Sequence, residues 1–192
     1  MKSSAARGFT LIELMITVAM LAILLSLAAP SFARMLASNR MATQTNEFTA
    51  ALNLARLEAV RRGQSVAIRA DAGGTTFQGG WKVFTDANDD GAQPGTITAT
   101  DGTVIRESGG ALGGNTTIAR VTRGGTAPNY TYTDSAATDR MYVVFNSRGS
   151  NNASAAAFFR ICDSNDTAVR GRIVQISTVG KISLDTNTLT CP

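Results

Sequence analysis

Histidine is missing from all 192 residues. That absence removes the commonest general base near neutral pH and the commonest zinc ligand together. Serine and threonine are plentiful, but a hydrolase would then need a lysine or carboxylate base, and nothing in the chain marks one. The paired glycines Gly109-Gly110 and Gly113-Gly114 lack the Lys-Ser/Thr ending of a phosphate-binding loop. An enzyme is not expected, nor is a bound cofactor. Cysteine is scarce too: Cys162 and Cys191 are the whole complement. In a domain exported to an oxidising compartment they read as a disulfide, and two free thiols are the alternative. Aromatic residues make up 6% of the chain while glycine occurs 18 times, a balance that suits many short strands joined by tight turns. The formal charge of +4 shrinks once Lys2 and Arg7 are set aside, leaving 16 basic against 14 acidic side chains. The high isoelectric point is therefore a weak pointer to nucleic acid.

What the chain has in quantity is one long apolar run. Residues 1–8 are short, polar and basic; from Leu11 to Ala29 Glu13 is the single charged residue. At ~1.5 Å per residue this helix would span about 28 Å, close to the ~30 Å hydrocarbon core of a bilayer. Lys2 and Arg7 precede the run and hold the N-terminus on the cytoplasmic side. A secretory signal peptide is one reading, with Ser26-Leu27-Ala28-Ala29 as a small-residue cleavage site. Glu13 tells against it, since a carboxylate in a membrane segment costs roughly 2–3 kcal/mol. A disposable signal has no use for that cost. An assembled helix does, if a cation on a neighbouring subunit meets the carboxylate, and cleavage between Gly8 and Phe9 would create such a cation at the new α-amino group. The alternatives for Glu13 are that it snorkels to the interface or is neutralised in place.

The run Gly8-Phe9-Thr10-Leu11-Ile12-Glu13, with a basic leader before it and an apolar helix after it, closely resembles the class III signal of type IV prepilins and type II secretion pseudopilins. The resemblance implies that a prepilin peptidase cuts after Gly8 and N-methylates Phe9. Pro30 falls where many pilins carry a proline. It removes a helix hydrogen bond and crowds the preceding turn, so a kink or locally melted stretch is expected there, or the end of the membrane helix.

Beyond Pro30, Ala42, Thr45, Phe48, Leu52, Ala55 and Ala59 recur at three- and four-residue intervals, with Gln44, Asn46, Glu47, Asn53, Arg56 and Glu58 mostly elsewhere. This narrow apolar face suits packing on a sheet. Arg61, Arg62 and Gly63 form a natural helix end, so the sequence predicts helix over 9–62. Strands are predicted at 65–69, 81–85, 103–107, 116–121, 141–146, 157–162, 171–177 and 181–184, with Gly73-Gly74, Gly79-Gly80, Asp90-Gly91 and Gly124-Gly125 in the turns. The segment 126–139, poor in large apolar residues, reads as an exposed loop. The expected organisation is a leader at 1–8, a transmembrane and assembly helix at 9–30, an amphipathic helix at 31–63 and a periplasmic β-rich domain at 64–192. The class is α+β: a long N-terminal helix packed on an antiparallel sheet.

Shorter motifs refine the resemblance. Gly80-Trp81-Lys82-Val83-Phe84-Thr85-Asp86, Phe145-Asn146-Ser147-Arg148-Gly149, Phe159-Arg160-Ile161-Cys162 and the segment 171–177 are similar to the GspH/FimT family of minor pilins and minor pseudopilins. Cys162 and Cys191, with a Gly180-Lys181 hairpin between them, look most like its FimU-type members. That implies a minor pilin of a type IV pilus, in the priming or tip complex, or else the equivalent type II secretion pseudopilin. The implied partners are prepilin peptidase, other pilins or pseudopilins and the bacterial inner membrane. A bridge between the cysteines would contribute roughly 3–4 kcal/mol through loop-closure entropy.

Asp86-Ala87-Asn88-Asp89-Asp90-Gly91 matches half an EF-hand loop, but its twelfth position is Ile97 in place of the bidentate Glu. An acidic hairpin turn is the better reading, and no metal is expected. Some FimT-type pilins take up DNA through a Gly-Arg-x-Arg stretch; here the hairpin reads Gly180-Lys181-Ile182-Ser183 and lacks the last basic residue. Arg170 and Arg172 on one strand face, with Arg148, Arg160 and Lys181 nearby, would give a modest cationic patch able to meet phosphates. The bland alternative is a solvated face balanced by Asp163, Asp166 and Asp185.

Overall fold

The computed structural model describes residues 8–70, 77–86, 102–108, 112, 116–126, 129–134, 141–153, 155–163, 171–189 and 191. Among the described residues one helix, α1 (Leu11–Arg62), is followed by nine strands: β1 (Val66–Ala70), β2 (Trp81–Thr85), β3 (Val104–Glu107), β4 (Thr116–Thr126), β5 (Asn129–Asp134), β6 (Tyr142–Phe145), β7 (Ala157–Asp163), β8 (Gly171–Ile176) and β9 (Ile182–Leu189). A short 3₁₀ turn, Phe77–Gly79, precedes β2. The strands form two antiparallel sheets, ordered β3-β2-β1-β6 and β5-β4-β7-β8-β9. The chain divides into two compact units, Met1–Leu36 and Ala37–Pro192.

In the second unit, α1 buries Met41, Gln44, Thr45, Phe48, Ala51, Leu52, Ala55 and Ala59. Alanines at 51, 55 and 59 let the helix backbone come close to the sheets, and the larger Phe48 fills the space between them. Phe48 is fully buried and its ring meets Phe77, Trp81 and Phe159 at centroid distances of 5.1, 5.8 and 5.4 Å. Both sheets contribute to this one core, through Val66, Ile68, Val83 and Phe145 from the first and Ile118, Phe159, Ile161, Val174 and Ile176 from the second. The sheets are stitched where Phe145 bridges Asn151 and the Asn151 N–H donates to the Thr178 carbonyl (3.1 Å). At the helix end Glu58 accepts from Arg61 (2.7 Å) and Arg62 (2.6 Å). These hydrogen bonds hold its carboxyl below the usual range. Gly63, at φ 66°, supplies the left-handed residue that closes the helix.

Several expectations change. The helix runs unbroken through Pro30, with no melted stretch; a proline costs one hydrogen bond and crowds one carbonyl, which a 52-residue helix absorbs. Ala42 is only partly buried, while Met41, Ala51 and the polar Gln44 complete the packed stripe. The largest correction concerns 126–139, since β4 continues to Thr126 and β5 occupies Asn129–Asp134. Gly124 and Gly125 lie inside β4, opposite Thr131 and Tyr130. This hairpin is held by aromatic and cationic side chains in place of aliphatic ones: Arg123 lies 4.5 Å from the ring centroids of both Tyr130 and Phe158. That is why a search for apolar alternation passes over it.

The five-stranded sheet also has a second packed face, with Val121, Phe158 and Ile173 at its centre. The Tyr132 hydroxyl donates to the Asp185 carboxylate across that face. Tyr132 and Asp185 belong to the two edge strands, which would lie about 19 Å apart in a flat sheet. The sheet must therefore curl until its edges come within side-chain reach.

Candidate processing and assembly site

Thr10 precedes the first helical residue, and its hydroxyl accepts from the Glu13 N–H (3.2 Å). This is the N-cap half of a Thr-x-x-Glu capping box, and it also puts an acid in the first turn, where the helix dipole favours one. The Thr-x-x-Glu pattern at 10–13 thus gives Thr10 a local role in starting the helix. Among the described residues nothing pairs with the Glu13 carboxylate.

Every residue from Gly8 to Leu36 is exposed, including Phe9 at 78% and Leu11 at 76%. Two hydroxyls within the apolar run are self-satisfied: Thr17 donates to the Leu14 carbonyl (2.8 Å) and Ser26 to that of Ile23 (2.7 Å). Such back-bonding lets hydroxyl residues sit in an environment without water. A helix apolar on every side needs lipid or other helices around it, at about 1.5–3 kcal/mol for each large side chain covered. By length and composition α1 is able to cross a membrane. Glu13 is thus the one acid in the stretch, and among the described residues nothing answers its charge.

Cys162 and Cys191 are joined in a disulfide that pins the end of the chain to β7. It passes over Gly171, where an added Cβ would lie 2.9 Å from both sulfur atoms and 3.1 Å from Leu189 Cδ2. Reduction, or Cys162→Ser, is expected to cost roughly 3–4 kcal/mol of unfolding free energy in the full chain. Gly171→Ala should lower the urea midpoint with the bridge still formed. A midpoint unchanged by reductant would show that the bridge stabilises nothing.

Of the basic residues singled out in the sequence, the described Arg160 and Arg172 fall on different faces of the five-stranded sheet. Arg160 lies opposite Ile173 and Ala119 on the outer face of the five-stranded sheet, whereas Arg172 lies opposite Ile161 on the helix-facing side. Arg170, Asp166 and residues 87–91 of the acidic turn lie outside the described residues. Arg148 and Lys181 do come near one another, because Gly149 and Gly180 touch. Asp86 is buried, and its N–H donates to the Ser65 carbonyl (2.9 Å). Among the described residues there is no cluster of three metal-ligating side chains.

Comparison with known proteins gives the setting for this geometry. Residues 44–180 match the family described as Type II transport protein GspH, and residues 3–29 match the prokaryotic N-terminal methylation motif. The type IV minor pilin FimU of Pseudomonas aeruginosa superposes with a TM-score of 0.56 at 20% identity, over 78% of this chain and 92% of that one. The minor pseudopilin EpsH from the Type 2 Secretion System of Vibrio cholerae gives 0.46 at 15% identity, over 76% and 96%. No curated protein matches the sequence. With its methylation motif, its single long helix on antiparallel sheets and a family match across most of its length, the chain belongs to the GspH family and has the type IV pilin-like fold.

Proposed function

We propose that this protein is a minor subunit of a type IV pilus, made as a precursor, cut between Gly8 and Phe9, N-methylated on Phe9, and incorporated in the priming or tip complex. The observation that carries the reading is the run Gly8–Glu13: a glycine, a capped helix start and a lone carboxylate, inside a methylation motif and ahead of an exposed apolar helix. In this reading residues 9–30 store the subunit in the inner membrane and later pack among other subunits' helices. Residues 31–63 lead into a periplasmic domain, 64–192. Pro30 lets the anchor change angle on assembly. Glu13 neutralises the Phe9 amine of the adjacent subunit and so sets the axial register. The role is structural, and the partners are prepilin peptidase and other pilins.

The disulfide supports the pilus, because the cysteine pair is the feature most like FimU-type subunits. One observation favours a second reading, a minor pseudopilin of a type II secretion system: the description of the family matched over 44–180. The chain is to be recovered from membranes and from sheared surface fibres of its host and sequenced by mass spectrometry. N-methylated Phe9 as the first residue, in both fractions, is the expected result. A terminus still carrying Gly8, or one beyond Ala29, ends the reading. Deleting the gene separates the two machines: loss of pili with normal secretion supports the first, and the converse supports the second.

A further inference from the structure

Three elements meet at the C-terminal end of α1. The Arg56 guanidinium donates through Nε to the Gly149 carbonyl (3.0 Å) and through a terminal nitrogen to the Val179 carbonyl (3.4 Å). It thereby ties the helix to the turn after β6 and to the β8–β9 hairpin. Gly149 and Gly180 both hold left-handed backbone, φ 75° and 77°. They pack so closely that a Cβ on Gly180 would lie 1.9 Å from the Gly149 oxygen. Val60 Cγ2 closes on Gly149 from the helix side, 2.9 Å from where a Cβ would stand. A junction held this tightly presents a surface already organised for contact.

That surface is apolar. Among the described residues, the three most exposed large apolar side chains outside the N-terminal stretch all belong to it: Leu57 at 68%, Val179 at 66% and Val60 at 53%. Cations rim it, with Arg148 and Lys181 exposed on the two turns and Arg61 on the helix. The acid on this helical turn, Glu58, is already engaged by Arg61 and Arg62.

We propose that this patch docks the acidic, aliphatic-bearing face of a different protein subunit. The proposal rests on the reading above that the chain is assembled with other subunits. An apolar centre inside a polar rim is the anatomy of a protein–protein contact, and the sign of the rim selects an acidic partner. A two-fold contact between copies of this chain would set Arg148, Lys181 and Arg61 against themselves, which like-charge repulsion opposes. A nucleic acid would reward the cations but not the exposed leucine and valines, because single strands stack on aromatic rings.

The test uses the full chain at its normal level in its host, with Val179 replaced by the photoreactive residue benzoylphenylalanine and the adduct mapped by mass spectrometry. The expected adduct joins an acidic segment of another membrane-anchored subunit. Its yield falls at least about tenfold when Arg148→Glu and Lys181→Glu are combined, with membrane level and the Cys162–Cys191 bridge unchanged. The proposal is overturned by an adduct to a second copy, to nucleic acid or to a neutral or basic segment. Insensitivity to the charge reversal, no adduct, or equal yield from the same photoreactive residue at Val104 on β3 overturns it as well. Cleavage at Gly8–Phe9 and fibre recovery are scored in the same cells: an uncut junction sinks the functional reading, whereas a cut, fibre-borne chain without the adduct sinks the patch alone.

Discussion

Glu13→Gln leaves the chain processed and resident in the membrane, yet lowers its recovery in sheared fibres at least about tenfold. The variant is chosen because glutamine keeps the size and polarity of glutamate, and the Thr10 hydroxyl caps α1 through the backbone N–H of residue 13, so only the charge is lost. If the carboxylate meets the α-amino group of a neighbouring subunit among packed helices, its removal strands a buried cation. Losses of that kind run to roughly 3–5 kcal/mol, and each ~1.4 kcal/mol is tenfold in an assembly equilibrium. Glu13→Ala keeps that backbone cap but removes the charge and the polar side chain together, and should be no better than Glu13→Gln. The ratio of fibre-bound to membrane-bound chain, read by immunoblot, distinguishes the outcomes. Normal recovery of Glu13→Gln, whatever Glu13→Ala does, would show that the charge has no part in assembly.

The second large effect is on stability. Phe48→Ala should cost about 3–5 kcal/mol, the range for deleting a fully buried aromatic ring. Three rings, Phe77, Trp81 and Phe159, lose their common neighbour at once. Backbone held by two sheets cannot collapse into the space, so the cavity persists. The chain contains one tryptophan, and Trp81 is buried edge-on to Phe48, so its fluorescence during urea unfolding of the full chain in detergent reports this core directly. A change below about 1 kcal/mol would mean that the helix does not depend on Phe48 for its seat on the sheets.

Much of the fold was legible because its signals are local. The three- and four-residue spacing through Phe48, Leu52, Ala55 and Ala59 follows from helix geometry, and all four side chains are buried. Strand β2 is observed at 81–85, the predicted span, because Trp81, Val83 and Phe84 pack on both faces and Gly80 precedes them with φ 99°. The β4–β5 hairpin was not legible. Arg123 packs on both Tyr130 and Phe158, and Phe158 is brought to Arg123 by β7 from more than thirty residues along the chain. The placing of Arg160 and Arg172 was illegible for a related reason: alternation within one strand says which of its residues share a face, but not which face of a curled sheet that is. Arg160 and Arg172 consequently fall on opposite sides.

The apolar helix, its lone acid and the α+β class are set by the sequence alone, since each depends on neighbours within a few turns of chain or on the contrast between water and lipid. Where the charges gather, how the second sheet curls until Tyr132 reaches Asp185, and why Gly171 must be glycine beneath the Cys162–Cys191 bridge were decided only by tertiary structure. Arg56 shows the difference best. On the helix it is one polar residue among several; in the folded domain it joins two distant turns, because contacts 93 and 123 residues apart have no signature in local spacing.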